Sequence, residues 1–128
     1  MIHSFDPNIA KNFGVNVAIF LNNIHFWSLQ NIANHKHFHD GRYWTYNTES
    51  EFLQLFPYFS RQNLRTIRAS CIKNDLLVEG NYNKSGYDHT IWYALTERGM
   101  ALFNLQAEKE IINNNNNAHA DFAKDFHE

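Results

Sequence analysis

Apolar residues keep helical spacing over the first part of this chain, shift to short strand-like runs between Leu76 and Leu95, and return to helical spacing after Thr96. Asp6 or Ser4 stands where it can cap a short helix over Asn8 to Phe13, with Pro7 at the first position and Gly14 as the stop. A longer helix is expected from about Val15 to Ala33. Its apolar positions Val15, Ala18, Ile19, Ile24, Phe26, Trp27 and Leu29 are dense enough for a mostly buried element. Asn34 to Gly41 reads as a polar loop rich in His, and Tyr43-Trp44-Thr45-Tyr46 as a short strand of aromatic and β-branched residues. Thr48 and Glu51 match a capping box for a helix carrying Phe52, Leu53, Leu55 and Phe56, which Pro57 ends.

Ser60 opens the next helix. At 100° per residue, Leu64, Ile67 and Cys71 share an arc of about 60°, and Arg61, Arg65 and Arg68 share a neighbouring arc of about the same width. Asn74 or Asp75 is expected to take the left-handed turn that ends it. Leu76, Leu77 and Val78 begin a strand, and Ile91 to Leu95 return from a polar tip in which Gly86 relieves positive-φ strain. This order predicts an α+β fold, mainly α: a winged helix-turn-helix with a small antiparallel three-stranded sheet. Residues 1–96 form that domain. A last helix at 97–112 carries Met100, Phe103, Ala107 and Ile111 at helical spacing and is a dimerisation candidate. Residues 113–128 hold five consecutive Asn and an acidic end, and are expected to be flexible.

Length and composition narrow the class. One domain of 128 residues with 44% apolar and 16% aromatic residues can bury a substantial core of large rings. Net charge is −2, which excludes a strongly basic nucleic-acid coat. Residues 1–47 carry +1, residues 48–96 carry 0 and residues 97–128 carry −3, so the acid sits mainly in the tail. The single Cys71 cannot form an internal disulfide and lies on the apolar side of its helix, as a buried thiol in a reducing compartment would. There is no basic segment followed by an apolar run at the N-terminus, and no apolar run near the ~20 residues a bilayer requires. A cytoplasmic protein without membrane contact is expected.

The arginine-bearing helix is the main candidate for chemistry. A helix fits the major groove, where Arg pairs with guanine or phosphate and Gln or Asn pairs with adenine. Ser60, Arg61, Gln62, Asn63, Arg65, Thr66 and Arg68 are placed for such contacts near the N-terminal end of the helix, and the amides at Ser60 face an incoming phosphate. Lys73 and Lys84 are expected at the DNA backbone, with Tyr87 or His89 at the minor groove or a sugar. His35, His37 and His39 alternate before Asp40, which on an extended segment puts three imidazoles on one side. Zinc ligands, however, come from separate elements, and no supporting motif accompanies them. His25 reads as a partly buried ring, and Glu49 and Glu51 as helix-capping acids. No nucleophile, phosphate-loop or dinucleotide motif occurs, so no enzyme, cofactor or metal is expected.

Several stretches together resemble one family. They include Phe5-Asp6-Pro7-Asn8-Ile9-Ala10, Asp40-Gly41-Arg42-Tyr43-Trp44-Thr45-Tyr46, Phe56-Pro57-Tyr58-Phe59-Ser60, Asn81-Tyr82-Asn83-Lys84 and Trp92-Tyr93-Ala94-Leu95-Thr96. Over about residues 5–99 the chain resembles the N-terminal winged-helix domain of DnaD-like phage and prophage replication proteins. The resemblance implies double-stranded DNA as partner, with a role in replication initiation or transcriptional control, and assembly with replisome proteins. Arg68 replaces an apolar helix residue usual in that family, Asp75 a terminal Gly, and His89 and Ile91 frequent basic residues. The family's usual second domain is missing from these residues. The near-neutral domain, the acidic tail, the many aromatics and the missing second domain favour an alternative, a winged-helix protein-interaction module that inhibits or recruits a host nucleic-acid-handling protein. A homodimer through the last helix is compatible with either.

Overall fold

The structure, a computed structural model, describes residues 2–104. Helix α1 (Pro7–Phe13) is capped by Asp6, whose carboxylate accepts from the Asn8 and Ile9 amides, and it ends at Gly14 with φ 93°. Helix α2 (Val15–Asn34) follows at once and crosses the whole core. After it come β1 (Phe38–His39), β2 (Arg42–Tyr43), β3 (Thr45–Asn47), α3 (Glu49–Leu55), α4 (Arg61–Lys73), β4 (Leu77–Gly80) and β5 (Ile91–Leu95). Residues 97–104 are again helical and are called α5. The expected flexibility of residues 113–128, and the part of the last helix beyond Asn104, lie outside the described residues.

The architecture is mixed α+β. Strands β3, β5 and β4 form one antiparallel sheet in that order, with Thr45 opposite Tyr93 and Leu77 opposite Leu95. Helices α3 and α4 are inserted between β3 and β4. The core closes around Phe20 of α2, whose ring centroid lies 5.4 Å from Phe52, 5.9 Å from Phe56 and 5.8 Å from Tyr93. Leu64, Ile67 and Cys71 bring the inner face of α4 into the same cluster. Burial pushes the Cys71 thiol up to about 12, so it stays a protonated core residue.

Four sequence expectations need correction. The apolar stripe of α2 that faces the core is Val17, Phe20, Leu21 and Ile24, whereas Val15, Phe26, Trp27 and Leu29 are exposed. The helix is apolar on several sides, so periodicity alone does not choose its inner face. The expected single strand over Tyr43–Tyr46 is two strands, β2 and β3. Trp44 lies between them, buried, its indole N–H donating to the His39 carbonyl at 2.8 Å. The presumed loop before it contains β1, paired with β2 across Asp40 (φ 52°) and Gly41 (φ 77°). Asp-Gly with both residues at positive φ is the favoured two-residue hairpin turn. Finally, Gly86 is not at positive φ, and the segment 81–90 is held by side chains instead. Asn83 donates to the Asp88 and Thr90 carbonyls and accepts from the Trp92 indole at 2.8 Å.

Thr96 joins the sheet to α5. Its hydroxyl donates to the Asp75 carbonyl at 2.6 Å and accepts from the Gly99 amide at 2.9 Å. This seats α5 so closely that a Cβ at Gly99 would collide with the Leu76 carbonyl oxygen. Gly99→Ala is therefore expected to lower stability by about 1–3 kcal/mol in urea unfolding. Gly86→Ala, with nothing within 4 Å of the added carbon, should leave the midpoint nearly unchanged.

Candidate nucleic-acid interface

Ser60 and Asn63 build the start of α4 by a reciprocal capping box: the Ser60 hydroxyl accepts from the Asn63 amide, and the Asn63 carboxamide oxygen accepts from the Ser60 amide, each at 3.0 Å. Both side chains are thus committed to the cap. So are two of the amides expected to meet a phosphate, which leaves less of that helix end for a ligand. Leu64, Ile67 and Cys71 fix the rotation of the helix, and Arg61, Gln62, Arg65 and Thr66 consequently face solvent.

The arginine row does not act as three independent cations. Arg61 Nη1 donates to Glu49 Oε1 at 2.6 Å, Arg65 Nη2 lies 3.4 Å from the same oxygen, and Arg68 Nη1 lies 3.7 Å from Glu49 Oε2. Glu49 sits in the first turn of α3, so the cluster spans the two helices. Arg61 and Arg65 keep 59% and 61% of their side chains exposed; Arg68 keeps only 21%. The expectation that Arg68 projects outward with the other two is therefore corrected. It bridges to Glu79 Oε1 of β4 at 3.1 Å and lies 5.8 Å over the ring of buried Tyr93. This partly buried Arg is accommodated because Tyr93 takes its flat face and two acids take its edge.

Other candidate residues are spread out. Lys73 is exposed in the last turn of α4. Lys84, Tyr87 and His89 are exposed in the segment joining β4 to β5, Tyr87 almost completely. Among the described residues no hydrogen bond or ion pair joins these side chains to the arginine cluster. The root of that segment is anchored by Tyr82, whose hydroxyl donates to the Asp40 carboxylate; this bond raises the phenol to about 12.

The alternating histidines do not face one way. His35 and His37 have positive φ, so the segment is not extended. His37 packs edge-on to Tyr46 at 4.8 Å, while His39 stacks on Tyr82 at 4.4 Å. No group of three or more His, Cys, Asp or Glu able to hold a metal occurs among the described residues. His25 is half-buried, stacked on Phe103 at 3.9 Å, and burial lowers its pKa. No described helix is long and apolar enough to cross a membrane.

Sequence reasoning missed Glu49 and Glu79 as parts of the site. Glu49 is explained locally by its helix start, and nothing periodic connects it to residues 12, 16 and 19 positions later. No protein-family model, curated protein or solved structure matches this chain.

The hydrogen bond from Arg61, reinforced by Arg65, holds the Glu49 carboxyl below its ordinary value of 4.5. A lowered carboxyl pKa stabilises the fold above its unfolded value, and that contribution is lost as pH falls through the folded one. Wild type should therefore exceed Glu49→Gln in stability near pH 7 at low salt. The difference should shrink below about pH 4.5 and also shrink in high salt, as checked by thermal unfolding across pH.

Proposed function

We propose that this chain is a winged-helix protein that binds double-stranded DNA through α4, in phage or prophage replication initiation or transcriptional control. The observation that carries the reading is topological. Around the inserted β1–β2 hairpin, the helix α2, the strand β3, the helices α3 and α4 and the β4–β5 pair follow in order, with the sheet order β3-β5-β4, and α4 turns its Arg61, Gln62, Arg65 and Thr66 side to solvent. That is the arrangement in which a recognition helix enters the major groove and the hairpin, as the wing, touches the backbone. Gln62 and Thr66 are the base-reading candidates. Arg61, Arg65 and Arg68 belong with the phosphates, and Lys84 and Tyr87 are the wing's outermost groups. Replication is the more specific part of the proposal and rests on the family resemblance over residues 5–99.

A second reading has its own observation. Helix α2 contains no Asp, Glu, Lys or Arg over 20 residues and exposes Phe26, Trp27, Leu29 and Ile32. Exposed apolar surface of this kind favours a protein-contact module.

Selection from random duplexes separates the two: the DNA reading expects an enriched motif, and no enrichment would favour the second. On the selected site, Arg65→Ala should cost about 1–3 kcal/mol in affinity. Lys84→Ala should weaken all sequences alike and reduce the salt slope by about one, measured by fluorescence anisotropy.

A further inference from the structure

We infer that Arg61, Arg65 and Arg68 form a phosphate subsite that the free protein keeps filled with the carboxylate of Glu49. The inference deepens the DNA-binding reading and rests on it for the source of the phosphate.

Three guanidinium groups from successive turns of α4 converge on one acid, at 2.6, 3.4 and 3.7 Å. Guanidinium forks recognise carboxylate and phosphate oxygens by the same geometry. A single carboxylate carries one charge for three cations. Glu79 offsets part of the surplus through Arg68 alone, so one positive charge remains unbalanced across the five groups. The exposure of the three arginines differs in a way that suits exchange. Arg68 is fixed by Glu79 and the Tyr93 ring, and forms the back wall. Arg61 and Arg65 are mostly exposed and can turn from Glu49 to an oxygen arriving from solvent. A phosphodiester at that point takes over their hydrogen bonds, and the Glu49 side chain, itself 20% exposed, is released towards water.

The physical consequence is a threshold. With Glu49 in place, a DNA strand that passes the helix without fitting the subsite meets a face with a surplus of only one positive charge. One whose phosphate fits displaces the carboxylate and meets three cations. Glu49 thereby suppresses sequence-independent attraction, which scales with the number of phosphates neutralised. This accounts for a nucleic-acid surface on a domain whose residues 48–96 carry no net charge.

The test uses the full chain as wild type, Glu49→Gln, Arg65→Ala, the double variant, and Glu97→Gln as a charge-matched control. Glu97 pairs with Arg42 and not with α4. Glu49→Gln keeps the side-chain size and leaves the Thr48–Glu51 capping box intact. Anisotropy with a random-sequence duplex is expected to show about 3- to 10-fold tighter binding for Glu49→Gln at low salt, a salt slope steeper by about one, and a change within about twofold for Glu97→Gln. Inorganic phosphate should raise the melting temperature of Glu49→Gln more than that of wild type, and the double variant should lose this gain. If Glu49→Gln binds duplex no better than wild type while Arg65→Ala still weakens binding, Glu49 positions the arginines, the subsite exchange is wrong and the DNA reading stands. Equal tightening by Glu97→Gln overturns it too, by reducing the effect to net charge. If phosphate stabilises Glu49→Gln but no form binds duplex, the subsite stands and DNA is not its source. Absence of both effects overturns both.

Discussion

The ring of Phe20 is the joint on which the rest of the structure depends. It touches Phe52 and Phe56 around α3 and Tyr93 of β5 from its place in α2, so one side chain holds together the long helix, the short helix and the sheet. Removing a buried Phe typically costs about 3–5 kcal/mol, a large part of the roughly 5–15 kcal/mol that separates folded from unfolded domains. The α4 surface inherits this constraint. Glu49 reaches the α4 arginines only because α3 is pinned by Phe52 against Phe20, while Leu64 and Ile67 set how α4 is turned.

The electrostatic cluster works on a different scale. Exposed ion pairs contribute about 0–1 kcal/mol, because water already solvates both partners and two long side chains must be ordered. The Arg61 and Arg65 contacts with Glu49 are therefore not what holds α3 to α4. Their low cost of disruption is what the proposed exchange of Glu49 for an arriving anion draws on. Arg68 is the exception. Its half-buried guanidinium, between Glu79 and the face of Tyr93, links α4 to the hairpin and cannot swing out without leaving two acids less satisfied. The row of three arginines thus divides into one structural member and two that are free to exchange partners.

The exposed apolar side of α2 and the aromatic packing beneath the β1–β2 hairpin show how the same residue types serve different ends. Trp44, His39 and Tyr82 pack on one another and tie an excursion of the chain to the sheet. Phe26 and Trp27 touch each other edge-on at 5.4 Å and otherwise face outward. Composition alone does not distinguish these two uses of an aromatic ring.

Signals that act within a few residues were legible in the sequence. Asp6 with Pro7, Thr48 with Glu51, Ser60 and Thr96 each mark a helix start, because an orphan amide is satisfied by a side chain two or three positions away. Asp75 was likewise readable as the left-handed turn after α4. The inner stripe of α4 was readable because its other faces are polar, and that of α2 was not because its other faces are apolar too. The Asp40-Gly41 turn is also within reach of local rules, because Asp-Gly accepts positive φ at both positions. What only the tertiary structure decided is which distant charges meet. Glu49 and Arg61, or Arg68 and Glu79, are brought together by the packing of α3, α4 and β4. Coulomb forces between exposed side chains are too weak and too screened to leave a periodic mark on the chain that carries them.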